Sequence, residues 1–375
     1  MKYFIIAGEQ SGDLHGSNLV RELLKSDPEA EIQCWGGNLM ESAGAVLLMH
    51  YAKTAFMGFV SVLKNLRTIK ENLRLCKRQV KEFNPDVVIL IDYPGFNLRI
   101  AKFAKMSGFR IFYYISPKFW AWNEKRVLKV KRYVDKMYII FPFEVDFYKK
   151  HDIYVKYLGN PLLDETERWI LAAGGKAGAR VSLGLDNRPV IALLAGSRKH
   201  EIEHILPKML SIVKNFSDFQ FVIAGVKNIP DNLYNDITGN LPVKLIYDKT
   251  YELLYVSEAA LVTSGTATLE AALFNIPQVV CYRGDFFSML IGLMVIKVKY
   301  ISLVNLILGN EAVKELVQYS LSRRNLIYEL KKILPGGESR DKIIEDYGKL
   351  INILGPSGAS GRIAKDMTGE LESCF

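Results

Sequence analysis

A chain of 375 residues is longer than one hydrophobic core usually organises, so two domains of similar size are expected. With 49% hydrophobic and 24% charged residues, the composition is that of a globular enzyme and excludes a disordered chain or a coiled coil. The formal net charge of +9 favours acidic partners, whether nucleotides, nucleic acid or anionic lipid headgroups, without choosing among them.

The first element is a short apolar strand, Tyr3 to Ala7. It runs into a glycine turn without the cleavage-site pattern of a signal peptide, so the protein is expected inside the cell. The turn, Ala7-Gly8-Glu9-Gln10-Ser11-Gly12-Asp13, crowds Glu9, Ser11 and Asp13 into one loop before a helix from about Gly16 to Ser26. Such a loop offers helix N–H groups to an anion or a sugar hydroxyl; the alternative is a plain turn in which Asp13 caps the helix. It is not a G-x-G-x-x-G, so a dinucleotide fingerprint is absent. A strand at Ile32 to Trp35 follows.

Phe56-Met57-Gly58-Phe59-Val60-Ser61-Val62-Leu63 is unusually apolar for a loop and continues as a cationic helix with Leu63, Leu66, Ile69 and Leu73 on one stripe. The stripe reads as the core face of a domain helix. The entry, with Phe56, Met57, Phe59, Val60, Val62, Leu63 and Leu66, is the candidate for contact with a membrane or acyl chains. Next, Val87 to Ile91 reads as a buried strand ending in Asp92-Tyr93-Pro94-Gly95-Phe96-Asn97. A carboxylate at a strand's carboxyl end lies where open α/β sheets bind ligands, and it can take a proton from an attacking hydroxyl; the alternative is a turn cap. After the strand at Ile111 to Ile115, Ser116-Pro117-Lys118-Phe119-Trp120-Ala121-Trp122 combines aromatics with cations. It suits sugar stacking or an acceptor phosphate as well as it suits domain packing.

The helical, then Gly- and Ala-rich stretch Trp169 to Gly178 places a domain boundary within residues 160 to 185, drawn between 168 and 169. The strand–helix alternation then restarts, with strands at Val190 to Leu194, Phe219 to Ala224, Leu261 to Thr263 and Val279 to Tyr282. Two doubly wound parallel sheets in series are the economical reading. The first of these strands ends in Gly196-Ser197-Arg198; an arginine fork suits a diphosphate, and an ion pair with Glu201 is the alternative. The third enters Ser264-Gly265-Thr266-Ala267-Thr268-Leu269-Glu270. There Ser264, Gly265 and Thr266 can cradle a pyrophosphate and Glu270 can accept ribose hydroxyls, unless the motif is only a helix cap. No cluster has metal-ligand spacing, so no metal or other cofactor is expected. Helices at Ser339 to Leu354 and about Ser360 to Leu371 close the chain, and the last can cross back onto the first domain.

Cys34, Cys76, Cys281 and Cys374 form no C-x-x-C pair, which fits a reducing cytosol. The longest mostly apolar stretch, Phe286 to Ile296, is about half the roughly 20 residues a spanning helix needs. Peripheral attachment stays open and integral insertion does not.

In their order these segments resemble the lipid-A-disaccharide synthase family over essentially the whole chain. The matching segments are Ala7 to Asp13, Met57-Gly58, Ile91 to Asn97, Ser116 to Trp122, Pro142-Phe143-Glu144, Gly196-Ser197-Arg198, Ser264 to Glu270, and Ser302-Leu303-Val304-Asn305. The resemblance implies a GT-B fold: two Rossmann-like doubly wound domains facing a cleft, with a C-terminal helix crossing back to the first. Residues 1–168 with the 356–375 tail would form the acceptor and lipid side, and 169–355 the UDP-sugar side. It implies inverting transfer of 2,3-diacylglucosamine from its UDP derivative to 2,3-diacylglucosamine 1-phosphate, giving a β(1→6) disaccharide 1-phosphate and UDP.

By matching position Asp92 would be the candidate base. Arg198, Ser264, Gly265, Thr266, Glu270 and Asn305 bind the donor, while Glu9, Ser11, Asp13, Asn97, Ser116 and Trp122 lie on the acceptor side. The implied location is the inner face of the cytoplasmic membrane, with its lipid surface as a partner, no nucleic acid, and a homodimer left open. Departures from the family pattern are Asn160 in place of histidine, Ala195 in place of proline before Gly196, and Lys314 in place of proline before Glu315. The rival readings are another GT-B nucleotide-sugar enzyme, either a lipid-linked sugar transferase or an epimerase, and a non-enzymatic basic binder at a membrane surface.

Overall fold

Val87–Ile91 and Val190–Leu194 are apolar and buried at every position, as strands of a parallel sheet covered on both faces must be. The computed structural model describes residues 1–53, 66–117, 119, 126–284 and 299–373. Among them the strands form two sheets, of seven and six strands, in which all pairings are parallel. The chain divides into two compact units, Met1–Pro161 with Pro356–Phe375, and Leu162–Gly355.

In the first unit the elements are β1 (Lys2–Ala7), α1 (Gln10–Ser26), β2 (Glu31–Gly36), α2 (Asn38–Ser42), β3 (Val46–His50), α3 (Leu66–Phe83), β4 (Val87–Ile91), α4 (Pro94–Met106), β5 (Arg110–Tyr114), α5 (Val127–Tyr133), β6 (Lys136–Ile139), α6 (Phe143–Lys149) and β7 (Lys156–Tyr157). The strand order is β3-β2-β1-β4-β5-β6-β7. One face of the sheet, with Phe4, Ile6, Val88 and Leu90, packs on Cys76 and Val80 of α3, Ile100 and Ala104 of α4, and Val127 and Val130 of α5. Helix α1 begins at Gln10, six residues before the start expected from its glycines. Gly12 and Gly16 lie inside it because the helix runs close to its neighbours: a Cβ at Gly12 would stand 3.1 Å from that of Ala7, and one at Gly16 only 2.6 Å from the Met40 sulfur.

The second unit contains α7 (Pro161–Ala172), α8 (Lys176–Ser182), β8 (Val190–Leu194), α9 (Lys199–Leu210), β9 (Gln220–Gly225), α10 (Asp231–Thr238), β10 (Val243–Tyr247), α11 (Thr250–Val256), β11 (Ser257–Thr263), α12 (Thr266–Leu273), β12 (Gln278–Tyr282), α13 (Leu303–Leu308), β13 (Lys314–Val317), α14 (Arg323–Ile333) and α15 (Arg340–Leu354). Its order, β10-β9-β8-β11-β12-β13, repeats the Rossmann pattern of the first sheet.

Helix α16 (Ala359–Glu372) belongs to the first unit. It buries Ile363, Ala364, Met367 and Leu371. Its acidic residues are tied to the far strands of that sheet: Glu370 meets Lys136 and Lys156 at 2.8 Å each, and Asp366 meets Lys156 at 2.8 Å. Tyr138 also donates its hydroxyl to Asp366 at 2.8 Å. Among the described residues, no helix is long and apolar enough to cross a membrane.

Candidate active site

Each sheet reverses its strand order at one place, between β1 and β4 in the first and between β8 and β11 in the second. Ligands of open α/β sheets bind outside the carboxyl ends of the strands at this point. Registration makes the flanking strands finish side by side, Ala7 opposite Ile91 and Leu194 opposite Val262. The loops that follow therefore begin together, Gly8-Glu9 beside Asp92-Tyr93, and Ala195 to Arg198 beside Thr263 to Gly265.

In the first unit Asp92 and Tyr93 both adopt left-handed backbone angles, with φ of 41° and 46°. For non-glycine residues this costs of order 1–3 kcal/mol each and persists only where the surroundings impose it. The surroundings are visible. The carbonyl of Asp92 accepts hydrogen bonds from Asn97 Nδ2 at 2.9 Å and from the Tyr113 hydroxyl at 2.5 Å. The same Asn97 nitrogen reaches the carbonyls of Ile91 at 3.1 Å and Ile6 at 3.4 Å, tying the ends of β1 and β4. The Tyr93 ring stacks on Phe96 and occupies the space a side chain at position 8 would fill, since a Cβ on Gly8 would stand 2.3 Å from it. Burial and the nearby Glu9 carboxylate push the Tyr93 phenol up to about 12. Glu9, Asp92 and Tyr93 thus meet at the switch point. One strand over, Ile115 is also left-handed, with φ of 65°, an outlying conformation for a β-branched residue.

Three expected acceptor-side residues are buried and bonded within the unit. Asp13 is buried, and its carboxylate accepts from the N–H groups of Gly37, Leu39 and Met40 at 2.8 to 3.1 Å; it holds the start of α2. Asn97 is fully buried and holds the Asp92 turn. Ser116 is buried with its hydroxyl 2.5 Å from that of Tyr148. The Asp13 carboxylate and Asn97 Nδ2 are used on backbone groups inside the unit, because a buried backbone group must find a partner, while Asn97 Oδ1 is buried without one. Ser11 is exposed. Trp122, Phe56, Met57, Phe59, Val60, Val62 and Leu63 lie outside the described residues, as does Phe286 to Ile296; Leu66 opens α3 and is exposed.

In the second unit Arg198 caps α9 and pairs with Glu201 at 3.2 Å, so the ion pair weighed from the sequence is present. Glu201 also accepts from the N–H groups of Ser197 and Arg198. It lies so close that a Cβ on Gly196, whose φ is 115°, would stand 2.4 Å from its carboxylate. Across the switch point Gly265 has φ 155° and ψ −161°, a region essentially confined to glycine, and its Cβ direction is open space. The turn is braced from below. Ser264 donates its hydroxyl to the carbonyl of Ile301 at 2.7 Å, Thr268 donates to that of Gly265 at 2.8 Å, and Thr268 in turn accepts from the N–H of Leu303. Thr263, at the strand end, is buried with its hydroxyl unpartnered, a polar atom aimed into the protein beside a helix start. Glu270 accepts from the Tyr251 hydroxyl at 3.2 Å, and desolvation raises its pKa.

Asn305, expected on the donor side, is likewise bonded within its own unit. It is fully buried, donates to the Val313 carbonyl and to Glu315, and accepts from the N–H groups of Ala312 and Val313. Its amide is spent on the loop before β13. Glu315, which the sequence reading passed over, accepts from the N–H groups of Ile301 and Ser302, the Ser302 hydroxyl and Asn305. Among the described residues no three His, Cys, Asp or Glu side chains gather as a metal site requires.

Two Rossmann-type sheets in series, each with its polar loops at the switch point, define the GT-B fold class. Two solved structures share this fold. UDP-GlcNAc 2-epimerase from Neisseria meningitidis bound to UDP-GlcNAc has a TM-score of 0.71 at 15% identity, covering 98% of this chain and 100% of that one. CalG4, the calicheamicin glycosyltransferase, has a TM-score of 0.60 at 14% identity, covering 99% and 98%. The family model described as lipid-A-disaccharide synthetase matches residues 3–357, and the chain belongs to that family of glycosyltransferases. The lipid-A-disaccharide synthase of Geobacter metallireducens is 35% identical over 373 residues, 97% of this chain and 95% of that protein. That of Syntrophus aciditrophicus is 36% identical over 368 residues, 96% and 95%.

Proposed function

We propose that the chain makes the lipid A disaccharide by transferring 2,3-diacylglucosamine from its UDP derivative to 2,3-diacylglucosamine 1-phosphate, with inversion at the anomeric carbon. Asp92 takes the proton of the acceptor 6-hydroxyl as its oxygen attacks that carbon. The bond from the anomeric carbon to the phosphate oxygen breaks, and UDP leaves with the electron pair. Arg198 and the Ser264-Gly265-Thr266 turn hold the diphosphate, and Glu270 accepts the ribose hydroxyls. Glu9 and Ser11, with Trp122, serve the acceptor.

One arrangement carries this reading: Glu9 and Asp92 in the first sheet, and Arg198 and the Ser264 turn in the second, follow the two strands that flank the reversal of order. The Neisseria epimerase, bound to UDP-GlcNAc, supports a UDP-sugar on a fold of this kind. The acceptor and lipid side would be the first unit and the donor side the second. The apolar entry from Phe56 to Leu66 would meet acyl chains at the inner face of the cytoplasmic membrane, and the exposure of Leu66 agrees with this. A homodimer is compatible with it.

The test is an assay of Asp92→Asn protein with both acylated substrates. General-base loss predicts a rate lower by about 100-fold or more, and a rate near that of the unaltered protein removes the role. UDP release without acceptor would favour epimerisation over transfer.

A further inference from the structure

Two consecutive left-handed residues at the end of β4 decide where the Asp92 carboxylate points, because a change of φ at that residue swings its Cα–Cβ bond. The turn's own sequence does not impose this: neither Asp92 nor Tyr93 is a glycine, and Pro94 restrains the residue before it toward extended angles rather than left-handed ones. What opposes relaxation is a pair of buried donors converging on one carbonyl. The Tyr113 hydroxyl, from within β5, lies 2.5 Å from the Asp92 oxygen, and Asn97 Nδ2, from the first turn of α4, lies 2.9 Å from it. Both side chains are wholly buried, while the Asp92 turn they hold is partly buried.

We infer that Tyr113 and Asn97 are positioning residues for the transfer reaction: together they clamp the main-chain carbonyl of Asp92 and hold its carboxylate in the reactive direction. Neither touches substrate. The inference rests on Asp92 acting as the base, and the experiment separates the two ideas.

Tyr113→Phe deletes one donor and leaves the ring in the core. Its kcat should fall about tenfold or more, as for other small misplacements of a reacting group, while the KM for the UDP-sugar stays within about twofold and the protein remains folded by circular dichroism. The deciding measurement is the same change made in Asp92→Asn protein. If Tyr113 acts through the carboxylate, the double variant is no slower than Asp92→Asn alone. A tenfold loss in both backgrounds overturns the clamp, and so does an unaltered kcat in Tyr113→Phe. An active Asp92→Asn protein would instead remove the base reading itself. Asn97→Ser, which is too short to reach the carbonyl, gives the same cycle should Tyr113→Phe fail to fold; a loss that persists in the Asp92→Asn background overturns the clamp there as well.

Discussion

Glu315 gathers four donors: the N–H of Ile301 at 2.9 Å, the N–H and hydroxyl of Ser302 at 2.9 and 2.8 Å, and Asn305 Nδ2 at 2.9 Å, which it shares with Val313. Ile301 is also the residue whose carbonyl receives the Ser264 hydroxyl, so the carboxylate supports the proposed diphosphate turn at one remove. Glu315→Ala strands the three donors of Ile301 and Ser302 and leaves Asn305 Nδ2 to Val313. The site is only partly buried and water will reoccupy some of it, so about 1 kcal/mol per stranded donor, or about 3 kcal/mol in all, is expected. For a unit of this size that lowers the unfolding temperature by about 6–12 °C. Glu315→Gln should cost less, about 1–2 kcal/mol, because the amide keeps one acceptor and opposes a single donor. Calorimetric scanning of the three proteins gives the order, and titration with UDP should show affinity weakened about tenfold in the alanine variant, equivalent to about 1.4 kcal/mol. An alanine variant that melts with the unaltered protein and binds UDP equally would refute the reasoning.

Gly8→Ala forces the Tyr93 ring from its place, and a kcat reduced about tenfold or more in steady-state assays is expected. His15 is buried on α1, and desolvation lowers its pKa from 6.5 to about 4. The unfolded chain therefore takes up the proton first, and stability present above pH 6.5 is lost as pH falls toward 4. Urea titrations of His15→Gln against the unaltered protein should show about 3 kcal/mol less acid sensitivity over that range. Glu370 is shifted the other way, from 4.5 to about 2, by hydrogen bonds from Lys136 and Lys156. Its contribution is complete above pH 4.5 and fades as pH drops toward 2; after solvent screening it amounts to about 1 kcal/mol, so the gap between Glu370→Gln and the unaltered protein should close across that window. Cys34, Cys76 and Cys281 are buried thiols pushed upward by burial, Cys34 to about 12 and the other two further. At most one thiol per chain should react with Ellman's reagent until the protein unfolds.

Strands buried on both faces were the most legible elements, because Val87 to Ile91 and Val190 to Leu194 are continuous apolar runs bounded by turns. Edge strands were not: β7, β10 and β13 carry mixed residues such as Lys156, Lys244 and Lys314, and only pairing with a neighbour makes them strands. The loops that matter were legible for the same reason as the central strands, since a polar cluster directly after a buried run can only sit at a strand's carboxyl end. Which polar residue in such a loop faces outward was not legible. Asp13 and Asn97 stand in the same motifs as Glu9 and Asp92, yet each is turned inward to satisfy backbone groups.

The order of apolar runs and turns along the chain was enough to determine two parallel α/β sheets and the segments that follow their central strands, because burial on both faces leaves a one-dimensional trace. The tertiary structure alone decided which strands are neighbours, and hence which loops meet at a switch point. It also decided the left-handed turn at Asp92 and the support of Ser264 by Glu315 through Ile301. These depend on hydrogen bonds between residues distant in sequence, whose geometry no local pattern encodes.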